Sequence, residues 1–499
     1  MDVTWILLII VLYLLAVVTF HMYVRYLSAQ RHNFDPKYLP VIVEPWYCPF
    51  LGPALALMDL ESAVNRWRAR FGENFTVFIL GKFVTVLTKY SDLKTYYHAP
   101  EEALSLGQAA LVLLGSAFPE SHFIKDHNSV PHIQRILTPR FLRQTAINID
   151  QVIDDYFNLK NGQFWEEYGN GAVVDIFDFV YRFVLRTNSA SFTSHRIYKN
   201  HVTEIIDLFT TLDADKSFIN PFTHGIKTRL GIRSERDIAW EKWVNLFVPE
   251  IEHCVKMIED NIQPKGIDFM YDTVKYAIED MQRHGKTLTP RYIAFLIYGI
   301  FFPAQLNTYT TLAYVLLEWI RHGHDEIGHK LQEEIDSAPP PGELTIDYLN
   351  SLEYIQACIY EVIRTHTEFP IAFRYAAADV QLADGKFVPT GNLVITPVTR
   401  AHELYVDPYR FDPDRHLKPR EEMKADPYKA LPFGRGKHPC SGEKYVKMQI
   451  RVVLIRLAKL CTMEIMPESI DYEKIVNKKQ LVGLSRPTKP VFVRITKQC

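Results

Sequence analysis

The stretch Phe433-Gly-Arg-Gly-Lys-His-Pro-Cys-Ser-Gly442 decides the fold of this chain, and Cys440 is its central residue. Gly434 and Gly436 carry no Cβ, so the backbone here can turn tightly and lie close against a flat ligand. Gly442 lets the helix that follows pack against the same ligand. A thiolate stays deprotonated when peptide N–H groups and a helix N-terminus surround it. The spacing therefore predicts a loop that presents one thiolate; a glycine-rich surface turn with an ordinary buried Cys is the alternative.

This loop resembles the haem-ligand loop of the cytochrome P450 family, in which an axial Cys pushes electron density into the haem iron and favours O–O cleavage. The resemblance implies a mainly α fold with small β-sheets and a haem b cofactor. It implies Cys440 as the iron ligand, with Phe433 packed near the sulfur. Gly434, Gly436 and Gly442 belong to the haem-binding loop in this interpretation. The resemblance also places His438 where the family usually has an Arg or His that pairs with a haem propionate.

A second pair of motifs supports the same family. Glu361-Val-Ile-Arg364 places a carboxylate and a guanidinium three residues apart on one helical face, where they can pair. Pro413-Asp-Arg415 lies between that motif and the Cys440 loop. In the family a Glu, an Arg and a second Arg from such segments form a buried charge network. Because the loss of one partner strands a buried charge, we expect Glu361, Arg364 and Arg415 to be structural rather than catalytic.

The partners of the haem propionates are the next candidates. Arg374 occupies the place of a propionate-binding Arg of the family, and its planar guanidinium suits a carboxylate. An unpaired surface Arg is the alternative. For the other propionate, relatives usually have a Trp and an Arg four apart on an earlier helix, where this chain has Val130 and Gln134. His132 or Arg135 could substitute for them.

The first 24 residues form the predicted membrane anchor. Trp5 through Val24 contains no formally charged residue, and a helix of about twenty residues spans the roughly 30 Å of a hydrocarbon core. The basic residues Arg25, Arg31 and Lys37 follow the span, so the positive-inside rule leaves the rest of the chain in the cytosol. We therefore expect a retained anchor in the endoplasmic reticulum membrane; a cleaved secretory signal is the alternative.

The rest of the chain divides into a connector and one large unit. Residues 25–55 form a proline-rich connector, since Pro36, Pro40, Pro45, Pro49 and Pro53 prevent a continuous helix. Residues 56–499 form the predicted haem-thiolate catalytic domain. Near its start, Phe75–Leu80 and Phe83–Leu87 predict a β-hairpin.

Composition excludes several classes of protein. Of the 499 residues 47% are hydrophobic, which allows a sizeable core, and the net charge of −2 argues against nucleic acid as a partner. The six cysteines are scattered without paired spacing. This pattern fits a reducing compartment better than a disulfide framework or a zinc site.

The helix predicted to cross the distal haem face runs from Leu296 to Ile320. Its motif is Pro303-Ala-Gln-Leu-Asn307, in which Ala304 keeps the small residue that leaves space for dioxygen and Pro303 should kink the helix. The family has an acid where this chain has Leu306, and a Thr where it has Asn307. An Asn amide both donates and accepts, so Asn307 could hold a water or a substrate hydroxyl. A loosely aligned polar residue is the alternative.

The nearest resemblance within the family is to the sterol 14-alpha-demethylase, cholesterol 7-alpha-hydroxylase and prostacyclin synthase group. Asn307 is similar to the residue of cholesterol 7-alpha-hydroxylase and prostacyclin synthase. Ala304-Gln and Thr310-Thr are similar to sterol 14-alpha-demethylases. The distal loop with a characteristic tyrosine in those demethylases is not recognisable here.

A hydrophobic substrate is expected from the apolar residues that should face the distal cavity. A pocket of this kind suits a sterol, a terpenoid or a fatty-acyl-like molecule, although ordinary core positions are the alternative. The candidates are Leu113, Phe118, Phe301, Phe302, Ile371, Phe373 and Leu484.

Three functions agree with these motifs. The first is a monooxygenase that takes NADPH-derived electrons from a membrane reductase flavoprotein, for which Arg435, Lys437, Lys444 and Lys447 would form a basic docking surface. A solvated charged face is the alternative for those residues. The second function is a haem isomerase or dehydratase that acts on a peroxide without external electrons. The third is a catalytically silent haem- or lipid-binding protein.

Overall fold

Helices make up most of the described chain, and the sheets are small, as the sequence predicts. The computed structural model describes residues 3–32, 35–44, 46–48, 59–79, 81–114, 120, 123, 129–160, 162–214, 233–366, 371–397, 404–426, 428, 431–472 and 486–498. The α-helices of this part are α1 (Val3–His32), α2 (Leu60–Phe71), α3 (Tyr90–His98), α4 (Leu106–Leu114), α5 (Ser129–Ile136), α6 (Pro139–Phe157), α7 (Gln163–Tyr168), α8 (Ile176–Phe192), α9 (His195–Ala214), α10 (Glu235–Glu259), α11 (Phe269–Arg283), α12 (Pro290–Leu306), α13 (Thr308–Arg321), α14 (Glu326–Asp336), α15 (Ile346–Ser351), α16 (Glu353–Thr365), α17 (Glu422–Ala425) and α18 (Glu443–Leu460).

The strands form three sheets. They are β1 (Val41–Ile42), β2 (Asn74–Ile79), β3 (Lys82–Leu87), β4 (Leu104–Ser105), β5 (Ala172–Asp175), β6 (Ile371–Ala376), β7 (Val380–Gln381), β8 (Phe387–Val388), β9 (Leu393–Pro397), β10 (Cys461–Ile465) and β11 (Phe492–Lys497). The largest sheet has the order β1-β2-β3-β9-β6-β4, the second has β10-β11-β5, and β7 pairs with β8. The predicted hairpin is confirmed as β2 and β3, which are antiparallel with Phe78 opposite Phe83.

The long apolar helix predicted from Leu296 to Ile320 is two helices, α12 and α13. Asn307 separates them, and its carbonyl oxygen accepts both the N–H and the hydroxyl of Thr311, at 2.9 and 2.8 Å. We expected the irregularity at Pro303, but α12 continues through Pro303 and ends one turn later. Proline offers no N–H to the carbonyl of Gly299, so α12 has already lost one helical hydrogen bond before its end.

The first helix extends beyond the predicted anchor. α1 continues to His32, and by length and composition residues Leu8–Arg31 could cross a membrane. Its second half packs against the hairpin, where Val24, Phe78 and Phe83 form a small buried cluster. Near its end the Arg31 guanidinium donates to Asn392 Oδ1 at 2.7 Å and lies 4.5 Å from the centre of the Phe83 ring. The end of α1 is therefore attached to the six-stranded sheet.

The core divides into a helical part and a sheet part. One buried apolar cluster joins α6, α8, α10, α12, α13, α16 and α18, and a smaller one lies between α2 and the six-stranded sheet. The Cys440 loop connects the helical part with α3, because the Lys437 N–H donates to the Tyr97 carbonyl at 2.9 Å and α18 begins at Glu443. The loop is thus held at both of its ends.

Candidate functional site

The Cys440 loop is a tight turn closed on itself. The Cys440 N–H donates to the Phe433 carbonyl at 2.8 Å, and Gly434 and Gly436 have positive φ angles of 66° and 75°. A Cβ on Gly436 would lie 1.9 Å from the Tyr97 carbonyl oxygen. Both glycines are therefore required, Gly434 by its backbone conformation and Gly436 also by the close approach of α3.

Opposing effects act on the thiol of Cys440. Burial raises its pKa, whereas hydrogen bonds from the backbone N–H groups of Gly442 and Glu443 act to lower it. Glu443 is the first residue of α18, so the sulfur also lies at a helix N-terminus. A Cβ on Gly442 would lie 3.9 Å from Cys440 Sγ, so this glycine leaves the face of the sulfur uncovered. These are the features that the sequence predicts for a thiolate-bearing loop.

A cavity of about 380 Å³ opens in front of Cys440. Gly299, Pro303 and Ala304 of α12 line it, so the small residue predicted on this helix shares the cavity with the sulfur. Further lining residues include Ile133, Gln134, Phe192, Phe269, His438 and Tyr445. The walls are mostly apolar, and most of the polar lining residues belong to the Cys440 loop.

Two basic side chains lie beside the cavity. Arg374 is 5% exposed, donates only to the Phe373 carbonyl at 2.8 Å, and has no carboxylate partner among the described residues. His438 lines the cavity with Nε2 3.1 Å from Glu101 Oε2. Burial, together with the charge of Arg374, lowers the pKa of His438. A buried guanidinium without a counterion next to a cavity-lining imidazole suits an anionic group.

The two candidates for the second propionate partner, His132 and Arg135, contact residues of α11. His132 is fully buried and stacks on Tyr276 with ring centres 4.6 Å apart. Arg135 pairs with Glu279 at 2.6 Å. Gln134 lines the cavity instead. The structure therefore does not place His132 or Arg135 at the cavity, because each has a partner on α11.

The charge network predicted around Glu361 is present. Arg364 donates through Nε and Nη2 to the two oxygens of Glu361, at 2.8 and 2.7 Å, and Arg415 Nε donates to Oε1 at 3.0 Å. Glu361 and Arg415 are 0% exposed. Burial alone would raise the pKa of Glu361, but hydrogen bonds from Arg364 and His416 lower it to about 2.

Sequence reasoning missed two members of this network. His416 Nε2 lies 2.9 Å from Glu361 Oε2, and the backbone N–H of Asp412 donates to Oε1 at 2.8 Å. Arg415 also donates to the carbonyls of residues 406, 407 and 410. The network therefore fixes the segment 406–416 against α16. His416 is adjacent to Arg415 in sequence, which was the one signal that could have revealed it.

The residues predicted to face the distal cavity lie in different parts of the structure. Asn307 is exposed at the junction of α12 and α13 and is not among the residues that line the cavity at Cys440. Phe301 is fully buried in the helical core, 5.6 Å from the Trp243 ring. Leu113 and Phe373 pack against the sheet-side cluster, and Phe302 against the helical core. Phe118, Leu484 and the side chain of Ile371 lie outside the described residues.

The basic residues of the loop differ in their contacts. Arg435, Lys437 and Lys444 are exposed. Lys447 instead pairs with Glu443 at 2.9 Å and donates to the Tyr360 hydroxyl at 3.3 Å. Three of the four residues predicted for the basic surface are therefore exposed, although Lys437 also lines the cavity, and the surface itself stays a prediction.

These features fit a haem. One thiol faces an apolar cavity that the small residues Gly299 and Ala304 also line, and Arg374 lacks a carboxylate partner in the described part of the chain. Arg374 and His438 could hold propionates, while Cys440 offers a ligand to iron.

Comparison with known proteins agrees with this geometry. The family model named cytochrome P450 matches residues 43–495, and the chain therefore belongs to the cytochrome P450 family. Proteins of this family hold haem iron through a Cys thiolate, so haem is the cofactor of this chain.

Individual relatives are similar over part of their length. The chain is 28% identical to cytochrome P450 3A29 of Sus scrofa over 50% of this chain and 49% of that protein. It is 28% identical to cytochrome P450 26B1 of Mus musculus over 42% of this chain and 43% of that protein. The chain thus spans about half the length of the curated relatives it matches or less. These relatives carry other names than the group expected from Asn307, and that finer resemblance stays a prediction.

The likeness to a solved structure covers more of the chain. The structure entitled retinoic acid bound cyanobacterial CYP120A1 matches with a TM-score of 0.69 and 18% identity, over 92% of this chain and 99% of that chain. At this identity the match establishes the fold. The expected mainly α fold is thereby confirmed.

Proposed function

We propose that this protein is a haem-thiolate monooxygenase that oxidises a hydrophobic small molecule, of sterol, terpenoid or lipid-like character, with dioxygen and NADPH-derived electrons. The observation that carries the proposal is the thiol of Cys440, which opens into an apolar cavity that it shares with Ala304. A thiolate-ligated haem supplies the activation of dioxygen for transfer of one oxygen atom to a substrate.

Each site residue has a defined task in this proposal. Cys440 ligates the iron, and the N–H groups of Gly442 and Glu443 hold the negative charge on its sulfur. Arg374 and His438 neutralise the propionates at the edge of the cavity. Phe433 closes the loop through its carbonyl, and Glu361, Arg364 and Arg415 keep the segment 406–416 in place without touching the substrate.

Two residues of the α12–α13 region act on the distal side. Ala304 leaves room for dioxygen because its side chain is a single methyl group. For Asn307, which follows the end of α12 and does not line the cavity, the proposed task is proton delivery through a water or a substrate hydroxyl bound by its amide.

The proposal includes an anchored protein with a membrane partner. Residues 1–24 would anchor the chain in the endoplasmic reticulum membrane, 25–55 would connect, and 56–499 would form a cytosolic catalytic domain. An NADPH-cytochrome reductase flavoprotein would approach the basic surface of Arg435, Lys437 and Lys444, whose charge speeds association with an acidic partner.

The ligand assignment is tested by the spectrum of the reduced protein with carbon monoxide. Cys440→Ala should abolish the red-shifted band of thiolate ligation, whereas Cys461→Ala, a buried Cys in β10, should leave it intact. A Cys440→Ala protein that kept the band would refute the assignment.

A second candidate function is favoured by the replacement of the family's acid and Thr by Leu306 and Asn307. It is a haem isomerase or dehydratase that rearranges a peroxide without electrons from NADPH. Turnover of the substrate without NADPH, reductase or oxygen would establish it. In a monooxygenase, Asn307→Ala should release more peroxide per NADPH consumed, and Asn307→Thr should stay better coupled.

A further inference from the structure

A buried polar network connects three helices behind the cavity. Asn188 of α8, Gln305 of α12, and Tyr445 and Gln449 of α18 are each 0 or 1% exposed. They lie within the largest apolar cluster of the protein. Buried polar groups are costly unless they are paired, so an arrangement of this kind restricts the helices that carry it.

The amide of Asn188 is the centre of the network. Its Oδ1 accepts from the Tyr445 hydroxyl at 2.9 Å and from Gln449 Nε2 at 3.1 Å, and its Nδ2 donates to Gln305 Oε1 at 3.2 Å. Gln305 Nε2 donates to the Tyr181 carbonyl at 2.8 Å, so Gln305 Oε1 is the atom that faces Asn188. Asn188 must therefore donate to it through Nδ2. The direction of every bond in the chain from α12 to α18 is thereby fixed.

The two ends of the network lie at the cavity. Gln305 directly follows Ala304, and the Tyr445 ring lines the cavity together with Ala304 and Cys440. Asn188 does not line the cavity. Its backbone forms no hydrogen bond to the backbone of α12 or α18 in the described part of the chain, so its side chain makes the connection. One amide therefore links the wall formed by α12 to the wall formed by the start of α18.

The segment of α12 that Gln305 holds is the weakest part of that helix. Pro303 removes one backbone hydrogen bond two residues before Gln305, and the helix ends one residue after it, at Leu306. A helical wall with so few bonds of its own needs a tertiary contact to keep its position. Gln305 supplies one, through Asn188 and through the Tyr181 carbonyl.

We propose that Asn188 is a positioning residue that sets the distance between the Ala304 wall and the Cys440 wall through Gln305 and Tyr445. This inference rests on the proposed function, since it concerns the cavity in which haem and substrate would meet. Asn188 touches no reacting atom in this proposal. It acts by keeping α12 at a constant distance from α18.

The test uses two variants that each cut one arm of the network. Tyr445→Phe keeps the ring and removes the hydroxyl, with its bond to Asn188 Oδ1 and a second one to Ser191 Oγ of α8 at 3.1 Å. Asn188 Oδ1 still has Gln449 as a donor, so the fold should persist. Gln305→Met keeps an unbranched chain of similar length and removes the amide. Tyr292→Phe is the matched control, because it removes a buried hydroxyl that bonds Asp280 at 2.8 Å, at the opposite end of α12.

Hydrogen exchange of the full-length holoprotein is the first measurement. Tyr445→Phe should speed exchange of α12 amides near residues 300–306 about fivefold, the effect of losing one hydrogen bond worth roughly 1 kcal/mol, although Tyr445 lies on α18. Tyr292→Phe should leave that segment unchanged. Unchanged exchange at 300–306 in Tyr445→Phe would overturn the proposal, since a purely local role would affect only α18 and α8.

Haem release to an excess of apomyoglobin is the second measurement. Each variant should release haem faster, and the double variant should be no faster than the faster single one, because both act through Asn188. Fully additive effects would contradict a shared amide. Absence of a thiolate spectrum in the wild-type protein would overturn the proposed function and leave the exchange result to decide on Asn188.

Discussion

Glu361 on α16 and Glu318 on α13 are both buried carboxylates, but the groups that hold them differ in kind. Glu361 is 0% exposed and bonds two guanidiniums, those of Arg364 and Arg415, together with His416. Glu318 is 2% exposed and accepts from His366 Nε2 and the Tyr472 hydroxyl, both at 2.9 Å. The first is held mainly by buried guanidiniums. The second is held mainly by imidazoles and a hydroxyl, and the Arg321 guanidinium, 3.7 Å from Glu318 Oε1, belongs to a side chain that is 37% exposed.

The second carboxylate is also strongly stabilised as an anion. Burial alone would raise the pKa of Glu318, but hydrogen bonds from His322 and His366 bring it well below its usual range. His322 Nε2 lies 3.3 Å from Glu318 Oε2, and its Nδ1 lies 2.6 Å from Asp325 Oδ2. Similar burial and similarly low pKa values thus arise from different partners, and removal of each carboxylate should cost a different amount of stability.

The largest effect is expected for Glu361→Gln. The substitution keeps the shape but leaves Arg364 buried without a carboxylate among the described residues. Arg415 keeps only longer contacts, to Asp412 at 3.9 Å and to Glu422 at 3.7 Å. Neither guanidinium can lose its proton. We expect a loss of about 3–5 kcal/mol in the free energy of unfolding, with low haem content. The urea midpoint of the detergent-solubilised protein and its haem-to-protein ratio measure this. Normal haem loading with only a catalytic defect would show that the network is not structural.

Glu318→Gln should cost less, about 1–3 kcal/mol. The guanidinium that pairs with Glu318, that of Arg321, is 37% exposed and stays in contact with water once the carboxylate is gone, so it is not left as a buried unpaired charge. The same urea titration at neutral pH compares the two variants directly. A loss as large as that of Glu361→Gln would mean that the kind of cation does not matter.

A smaller effect is expected for Tyr472→Phe. It removes one neutral donor to Glu318 and leaves His366 in place, so we expect about 0.5–1.5 kcal/mol. Thermal unfolding followed by circular dichroism detects a change of this size. A loss in the range of Glu318→Gln would instead assign most of the cluster's stability to the hydroxyl.

The smallest effect is a pH dependence of the Glu318 cluster that arises from His322. The pKa of His322 is raised because its bonds to Glu318 and Asp325 outweigh its burial, so its contribution is complete below the ordinary pKa of about 6.5 and is lost as pH rises through the raised value. We expect less than about 1 kcal/mol between pH 6 and 9.

His322→Gln is the variant that tests this alkaline loss. The decline of the urea midpoint between pH 6 and 9 should be smaller in the variant than in the wild type. On the acid side both clusters act alike, since a carboxylate with a depressed pKa loses its contribution as pH falls through that pKa. An unchanged alkaline decline in His322→Gln would assign it to another group.

The sequence identified the parts of the site that lie in short motifs. The Cys440 loop and the Glu361, Arg364 and Arg415 network could be predicted because their residues have fixed spacings. The Glu318 cluster could not, since Glu318, His366 and Tyr472 meet only after the helices pack.

Other features depended on tertiary structure in the same way. Asn188, Gln305 and Tyr445 are polar residues on three different helices, and no local pattern shows that they meet in the folded protein. The end of α12 at Asn307 was missed because the apolar pattern continues across it into α13. For Phe301, which was predicted to face the distal cavity, the apolar sequence pattern indicated a buried helix face. It did not indicate that this ring packs on Trp243.

The attachment of α1 has a mechanical consequence. A continuous helix from Val3 to His32 is roughly 45 Å long, and its end is fixed to the sheet through Arg31 and Asn392. In the proposed anchored form, a membrane-spanning helix tilts when its apolar length and the bilayer thickness differ. Because α1 is one continuous helix, it would transmit that tilt to the attached sheet. Any tilt is passed to the whole body as a rotation of equal angle. The thickness of the bilayer would then determine which face of the protein meets the lipid surface.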